Sequence, residues 1–421
     1  MDDLTREVLA HVDPRELVDL ASALIRIPSF KTEETPVALF LEEFFRQRGY
    51  GVDLQEIEPG RCQTIATLRG TGGGASLMLN GHTDINALTR RWRRDPWTPT
   101  LEGDRLYGHG VQNMKGGLAS IIMTAEAIRR SGVRLAGDLV VACVAGETQG
   151  GEGTHYLMES GLRTDAAVVA EPFGAAHLVT VHSGIVHMAI HTYGVTGHIG
   201  RLEGTVNAVH TMTAVIEALQ RVQFRHTPRP DLPAFPRLNI GGILGGRGRD
   251  YVLVEPPYVP DLCTIIVDVH FLPGQTVDGI VADIRRALDP LAAGDPELRY
   301  EIEIPPPASF KGRRRLVMDP FDIPIDAPIV QAVARSYRTV TGQEPKAIGT
   351  VLPHSYSADD TCHLWKAGIP CLLYGPATIR GNADEDDACV LVSEMETVTR
   401  VLAVTALDVC ERKPVDLAFP A

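Results

Sequence analysis

The chain has 421 residues, of which 44% are hydrophobic and 22% are charged, and its formal net charge is −13. This length exceeds what one ordinary hydrophobic core needs, so it predicts two domains. The negative charge excludes nucleic acid and an anionic membrane surface as the main partners, because both select basic surfaces.

Two helices are predicted near the start of the chain. Asp13-Pro14-Arg15-Glu16 has the form of an N-cap, a first-turn proline and a reciprocal glutamate, and apolar residues follow it at helical spacing. A second helix is predicted to begin after Thr35-Pro36 and to end at Gly49, because glycine suits a helix end.

Short apolar runs then predict a sheet. They lie at 76–79, 139–144, 166–170 and 371–374 and are rich in Val, Leu and Ile. Helical patterns such as 118–129 connect them. Runs that are apolar on both faces are typical of a mostly parallel sheet covered by helices on both sides, which is the α/β class.

The pattern changes between residues 184 and 305. Strand and helix patterns follow one another there at 185–193, 206–220, 237–243, 262–272, 277–288 and 298–304. The order is β-α-β-β-α-β, the ferredoxin-like arrangement. We therefore predict an inserted domain at 184–305 and a discontinuous main domain made of 1–183 and 306–421.

A glycine-rich segment lies inside the predicted inserted domain. Gly241, Gly242, Gly245 and Gly246 lack the G-x-G-x-x-G spacing and the following helix of a dinucleotide-binding loop. We expect a tight turn there.

Polar residues follow the apolar strands where each predicted strand ends. His82 and Asp84 follow the first run, Glu147 follows the second, Glu171 follows the third, and Asp384 follows the last at a greater distance. Because the carboxyl ends of parallel strands meet at one edge of a sheet, these groups are expected to share a pocket. Solvated loop ends are the alternative. His82-x-Asp84 also has a spacing at which a histidine binds a metal while a carboxylate orients it.

With these motifs, the sequence resembles the peptidase family of zinc-dependent aminoacylases, acetylornithine deacetylases, succinyl-diaminopimelate desuccinylases and carboxypeptidase G. The resemblance spans nearly the whole chain and implies a catalytic domain with an inserted lid or dimerisation domain. The motifs that carry it are Gly81-His82-Thr83-Asp84, Leu106-Tyr107-Gly108, Met114-Lys115-Gly116-Gly117, Glu147, Gly150-Gly151-Glu152-Gly153, Glu171-Pro172, Gly194, His198, Asn207-Ala208, Gly368-Ile369-Pro370 and Tyr374-Gly375-Pro376.

The resemblance implies a role for each matched position. His82 and Glu171 are expected to bind a metal, with Asp84 as the supporting carboxylate. Glu147 stands at the position of the general base. His198 matches a lid histidine that reaches the partner's active site in dimeric members and supports the developing oxyanion.

Three expected metal ligands are altered in this chain. Asn113 replaces the aspartate that bridges two metals, Thr148 replaces a glutamate, and Asp384 stands at the position of a histidine. The losses remove one metal site and spare His82, Glu171 and a weak neutral ligand in Asn113. We therefore expect at most one divalent metal, zinc or another. His109 is an alternative third ligand, although a structural role suits a histidine in a glycine-rich loop.

The substrate side also departs from the family pattern. His270 stands where the family has an arginine that could hold a substrate carboxylate. Asn207 and His270 are the expected substrate-binding residues, and the expected partners are a small-molecule substrate and a second copy bound through the lid domain.

Composition indicates the compartment. The seven cysteines are scattered without a C-x-x-C pair, which is typical of reduced thiols. The acidic start at Met1-Asp2-Asp3-Leu4 is unlike a signal peptide, and no run of about 18 apolar residues occurs. A cytoplasmic protein without membrane partners is expected.

Three functions remain open from the sequence. The first is a deacylase-like hydrolase that cleaves an amide or related C–N bond of a small metabolite, with Glu147 as the general base. The second is a metal-free acid/base enzyme, a hydrolase, lyase or isomerase, that uses His82, Asp84 and Glu147. The third is a non-catalytic relative that binds a small ligand.

Overall fold

The structure is a computed structural model, and it describes residues 1–90, 92–252, 257–306, 316–377 and 387–417. The chain divides into two units. The main unit comprises Met1–Val181, Phe321–Ser355 and Asp359–Ala421, and the inserted unit comprises His182–Pro320 and Tyr356–Ala358. In the described ranges, no helix combines the length and the apolar character needed to cross a membrane.

The helices and strands have the following bounds. The helices are α1 (Asp3–Ala10), α2 (Pro14–Ile25), α3 (Thr35–Arg46), α4 (Gly116–Ser131), α5 (Glu152–Glu159), α6 (Ala208–Leu219), α7 (Val277–Gly294), α8 (Pro328–Thr341), α9 (Thr361–Lys366) and α10 (Val392–Cys410). The strands are β1 (Gly51–Glu58), β2 (Arg61–Leu68), β3 (Leu77–His82), β4 (Thr100–Glu102), β5 (Arg105–Tyr107), β6 (Leu139–Val144), β7 (Ala166–Val169), β8 (His177–Val179), β9 (Val181–His182), β10 (Gly184–Tyr193), β11 (Arg237–Gly246), β12 (Leu262–Phe271), β13 (Arg299–Glu303), β14 (Phe321–Asp322), β15 (Ala347–Gly349), β16 (Cys371–Leu373) and β17 (Cys389–Leu391).

Side-chain hydrogen bonds cap the N-terminal ends of the first two helices. Asp13 accepts a hydrogen bond from the Arg15 amide at 2.8 Å, and α2 follows as predicted. Asp2 caps α1 in the same way through the Thr5 amide at 2.8 Å. The prediction began with α2 and missed α1. The second predicted helix is α3, which ends at Arg46, before Gly49.

The main unit contains an eight-stranded sheet in the order β1-β2-β6-β3-β7-β16-β8-β15. At its centre β3 runs parallel to both β6 and β7, and β16 runs parallel to β7. Every residue of β3, β6 and β7 is buried, which explains the continuous apolar runs. The predicted α/β class is confirmed at this centre, whereas the antiparallel strands β1 and β2 at one edge were not predicted.

The inserted unit has an antiparallel sheet in the order β11-β12-β10-β13. In chain order its elements are β10, α6, β11, β12, α7 and β13, which is the predicted β-α-β-β-α-β order. The sequence placed the inserted domain at 184–305 and the main domain at 1–183 with 306–421. These boundaries stay a prediction, and the two units described above are a separate division of the chain.

The expected glycine turn was wrong. Gly241, Gly242, Gly245 and Gly246 lie within strand β11, whose register shifts between Ile240 and Gly242. Close packing explains one of these glycines, because a Cβ at Gly245 would lie 2.6 Å from Cγ2 of Val209 in α6. Glycine in this strand therefore marks a bulge and a close approach of a helix instead of a turn.

Candidate functional site

The strands of the parallel centre bring three predicted residues to one edge of the sheet. His82 is the last residue of β3 and pairs in register with Val144, the last residue of β6. Glu147 begins a short 3₁₀ turn just after β6, and Glu171 follows β7 by two residues. His82 is 1% exposed and the two glutamates are each 7% exposed. The predicted strand-end cluster therefore exists as a buried group.

The ring of His82 has a defined orientation. Its Nδ1 lies 2.9 Å from the carbonyl oxygen of Asp84, which can only accept, so Nδ1 carries the hydrogen. Its Nε2 lies 2.9 Å from Oδ1 of Asn113 and 3.5 Å from Oε1 of Glu171. If the ring is neutral, Nε2 carries a lone pair. This nitrogen and the two oxygen atoms, Oδ1 of Asn113 and Oε1 of Glu171, then form a group of possible metal ligands. This is the arrangement of a histidine that binds a metal and is held by an outer hydrogen bond.

The residues present fit one divalent cation. Ligand atoms of His82, Glu147 and Glu171 all lie within 4.8 Å of one another, and this is the one such group of His, Cys, Asp or Glu in the described residues. Oε1 of Glu171 is buried without a hydrogen-bond partner in the described part of the chain. A buried, unsatisfied carboxylate oxygen is costly unless a proton or a cation satisfies it.

The pKa shifts indicate the same excess of negative charge. Burial and the charge of Glu147 raise the pKa of Glu171 well above its usual range. Burial alone would lower the pKa of His82, but the charges of Asp84 and Glu147 raise it. The carboxylates around His82 therefore favour the positively charged form of its ring.

Asp84 positions the turn that carries the predicted base. Its Oδ1 accepts the Glu147 amide at 3.0 Å, and its Oδ2 accepts the Thr148 amide at 3.0 Å and the Thr148 hydroxyl. Burial would raise the pKa of Asp84, but the charge of His82 and these hydrogen bonds lower it. Thr148, predicted as an altered ligand, therefore donates to Asp84. The sequence did not predict this contact.

The turn is also held from its other end. Nε2 of His363 lies 2.7 Å from the carbonyl oxygen of Gly150 and donates to it, while Gly146 and Gly151 adopt left-handed backbone conformations. On the opposite side, Arg61 donates to Oε1 of Gln149 at 2.8 Å. The side chain of Glu147 is thus carried on a short segment with three independent anchors.

Arg61 forms a buried ion pair whose removal is expected to destabilise the main unit. Its guanidinium is 3% exposed and binds both oxygens of Glu34, which is fully buried, at 2.6 and 2.9 Å. Arg61→Met would leave the Glu34 charge without its partner, at a cost of about 3–5 kcal/mol in the free energy of unfolding. Chemical denaturation measures this cost.

Two further variants control that experiment. The double variant Arg61→Met with Glu34→Met removes both charges and is expected to recover much of the loss. Arg335→Met breaks an exposed pair with Asp408, for which a change below about 1 kcal/mol is expected. A similar loss in Arg335→Met and Arg61→Met would contradict the role of burial.

The remaining predicted residues of the main unit have these positions. Asn113 lies in the segment Val111–Lys115, directly before α4, and its own backbone angles (φ −127°, ψ 96°) are not helical. Lys115 donates from Nζ to the carbonyl oxygens of Leu24 and Ile27, both at 2.8 Å, and so anchors this segment to the end of α2. Burial lowers the pKa of Lys115 to about 7. Asp384 lies outside the described residues.

His109 has a structural environment. Its Nε2 lies 2.7 Å from the carbonyl oxygen of Asn86, and its ring packs edge-on against Trp92 and Trp97 at centroid distances of 5.1 and 5.5 Å. It is outside the three-residue group around His82. These contacts favour the structural interpretation of His109 over a role as third ligand.

The inserted unit carries the other predicted residues. Nδ1 of His198 accepts the Gly200 amide at 3.0 Å. Asn207 caps α6, where its Oδ1 accepts the amides of Val209 and His210. Both nitrogens of His270 are engaged. Nδ1 lies 2.6 Å from the carbonyl oxygen of Tyr356, and Nε2 lies 3.2 Å from Oδ2 of Asp268. Their substrate roles stay predictions.

Sequence comparison identifies relatives along most of the chain. The model of peptidase family M20/M25/M40 matches residues 78–408. The chain is 27% identical over 437 aligned residues to an N-formyl-4-amino-5-aminomethyl-2-methylpyrimidine deformylase of Halalkalibacterium halodurans, covering 96% of this chain and 97% of the relative. It is 29% identical over 339 residues to an acetylornithine deacetylase of Salmonella paratyphi B, covering 77% and 83%.

Solved structures share the fold. Human carnosine dipeptidase 1 matches with a TM-score of 0.74 at 15% identity, covering 97% of this chain and 99% of that chain. An M20 family metallo-carboxypeptidase of Sulfolobus solfataricus matches with a TM-score of 0.72 at 16% identity, covering 95% and 99%. At these identities the matches support the fold alone, and they agree with the fold class predicted from the sequence.

Proposed function

Because the chain belongs to peptidase family M20/M25/M40, we propose that it hydrolyses the amide bond of a small N-acyl metabolite with the help of one divalent cation. The observation that carries this proposal is the convergence of Nε2 of His82, Oδ1 of Asn113 and Oε1 of Glu171 beside Glu147. The two relatives named as a deformylase and a deacetylase support an N-acyl substrate.

Each residue of the site has a separate role in the proposed hydrolysis. A bound cation polarises the scissile carbonyl and makes water more acidic. His82, Glu171 and Asn113 would hold it, and the bond from Nδ1 of His82 to Asp84 keeps the ring in place. Glu147 takes a proton from the attacking water and then delivers it to the leaving nitrogen. Asp84 keeps Glu147 in position through the backbone of the turn.

Metal content and turnover test this proposal together. Protein purified without chelator is expected to contain about one divalent ion per protomer, because one set of ligands is complete and Asn113 and Thr148 weaken the other. It should release the amine from N-formyl or N-acetyl substrates, lose this activity with a chelator and regain it with zinc. Two ions per protomer would contradict the one-metal proposal.

One observation favours a metal-free acid/base enzyme as the second candidate. Without a cation, Nδ1 and Nε2 of His82 each lie 2.9 Å from an oxygen atom that can accept, and Nε2 lies 4.0 Å from Oε2 of Glu147, which favours the protonated ring. Such a pair can exchange protons with a substrate. Turnover by protein that contains no metal and is insensitive to chelator would establish this candidate. Ligand binding without turnover would establish the third, non-catalytic function.

We further propose a cytoplasmic homodimer that forms through the inserted unit. The seven cysteines are free, as expected in a reducing compartment. Among the described residues, strand β11 lies at the edge of its sheet and pairs with β12 alone. Its Ile243 side chain is 57% exposed, and an open edge with exposed apolar residues is a template for pairing with another chain.

A positive charge on the exposed edge of β11 is expected to dissociate the proposed dimer. Ile243→Lys places an ammonium group on each copy at the proposed interface, so the mass in solution should fall from that of two chains to that of one. Light scattering after size-exclusion chromatography measures the mass. Ile325→Lys is the matched control, because Ile325 is 56% exposed in the main unit. An unchanged dimer in Ile243→Lys would place the interface elsewhere.

A further inference from the structure

The turn that carries Glu147 has glycines on both sides. The turn itself runs from Glu147 to Gln149. The flanking glycines have left-handed backbone angles: Gly146 (φ 72°), Gly150 (φ 96°) and Gly151 (φ 72°). Glycine adopts such angles without a steric penalty, but it also has the widest choice of other conformations. The position of the proposed base therefore depends on the contacts that hold these glycines.

His363 in α9 supplies two such contacts. It is 6% exposed, and its Nε2 donates to the carbonyl oxygen of Gly150 over 2.7 Å. Its ring also lies against Gly151, since a Cβ at Gly151 would come 2.6 Å from Cδ2 and 2.7 Å from Nε2 of His363. One ring thus binds the carbonyl group of the first glycine and fills the space beside the second.

This contact reaches Glu147 through one backbone hydrogen bond. The amide of Gly150 donates to the carbonyl oxygen of Glu147 at 2.9 Å, so the residue that His363 holds also holds the main chain of Glu147. From the other side, the amide of Glu147 donates to Asp84 at 3.0 Å. The main chain of Glu147 is therefore fixed twice, by Asp84 directly and by His363 through Gly150.

We propose that His363 is a positioning residue for the general base and acts on Glu147 through Gly150. Both residues belong to the main unit, and His363 is outside the group of ligand atoms around His82. This inference rests on the proposed amide hydrolysis and adds a residue that the sequence did not single out. A small displacement of a general base costs much of its rate, so loss of the His363 bond should lower kcat and leave substrate binding nearly unchanged.

Substitutions of His363 separate the hydrogen bond from the shape of the ring. His363→Phe keeps an aromatic ring and removes the donor, so kcat is expected to fall about 10- to 100-fold while KM and metal content stay near the wild-type values. His363→Gln places an amide nitrogen near the position of Nε2 and should recover most of this loss. The measurement is the release of amine from N-benzylformamide and from Nα-acetylornithine by the zinc-loaded protein.

His155→Phe is the matched control. The ring of His155 lies against that of His363 at a centroid distance of 5.3 Å, but its side chain is 43% exposed and pairs with Glu159. The same substitution at this neighbouring ring should therefore keep the wild-type kcat. If His363→Phe does not fold, His363→Gln and His363→Asn decide, because the amide nitrogen of asparagine is one bond shorter and only glutamine should keep kcat.

A second background shows whether the effect passes through Glu147. In Glu147→Gln the base is absent, so the addition of His363→Phe should lower the residual kcat by less than about twofold. A ring that only stabilises the fold would lower kcat by the same factor in both backgrounds. Chemical denaturation shows whether each variant is folded.

The outcomes separate this inference from the proposed function. Wild-type kcat in His363→Phe, or an equal loss in both backgrounds, would overturn the inference and keep amide hydrolysis. Loss of the metal ion from His363→Phe would also overturn the inference, because the ring would then support the ligands instead of the base. Failure of the wild-type protein to hydrolyse either compound would reject the proposed function and, with it, the inference.

Discussion

Glu147→Gln is expected to lower kcat by about 10²–10⁴-fold while the metal content stays at one ion per protomer. The amide of glutamine has nearly the same shape as the carboxylate but cannot take a proton from water. The anchors of the turn involve the backbone amide of Glu147 and its neighbours, so they remain in the variant. The loss should therefore appear in turnover and leave the fold intact.

Metal analysis and a control variant distinguish two roles for Glu147, as general base or as metal ligand. Glu159→Gln changes an exposed glutamate at the end of α5 and should leave kcat and metal content at wild-type values. Oε2 of Glu147 lies 4.0 Å from Nε2 of His82, close enough for Glu147 to belong to the ligand group. If Glu147→Gln loses its metal, Glu147 is a ligand, and another group must be the base.

The sequence predicted the features that depend on local pattern. Apolar runs gave the buried strands β3, β6, β7 and β16, because a strand covered on both faces needs apolar residues at every position. The polar residues after these strands then met at one edge, as the geometry of parallel strands requires. Strand β11 was mistaken for a turn, because the packing of Val209 against Gly245 depends on another element.

The contacts that hold the site together could not be read from local sequence. Thr148 donates to Asp84 across 64 positions, and Arg61 donates to Gln149 across 88. From the sequence, Thr148 could be recognised only as a departure from the resembled pattern. The structure gives it a positive role, since its hydroxyl and amide both donate to the carboxylate beside His82. The burial of Asp359 and Asp360, directly before α9, likewise could not be predicted from local sequence.

His82→Gln is expected to abolish metal binding and therefore to lower kcat/KM by more than about 100-fold. Of the three proposed ligands, His82 supplies the one nitrogen, and the other two are the neutral Asn113 and the carboxylate of Glu171. Two oxygen ligands fall short of the about three protein ligands that a catalytic zinc ordinarily has. Elemental analysis measures the metal, and competition with a chelator of known affinity measures its dissociation constant.

His109→Gln is the matched control for this experiment. Both histidines are buried and each has a nitrogen close to a backbone carbonyl oxygen, but the ring of His109 packs against Trp92 and Trp97 instead of facing carboxylates. His109→Gln should therefore keep one ion per protomer. Loss of metal from His109→Gln with retention in His82→Gln would move the metal site away from the strand end. Retention of full turnover by metal-free His82→Gln would reject both His82-dependent mechanisms, because the metal-free alternative uses the same ring.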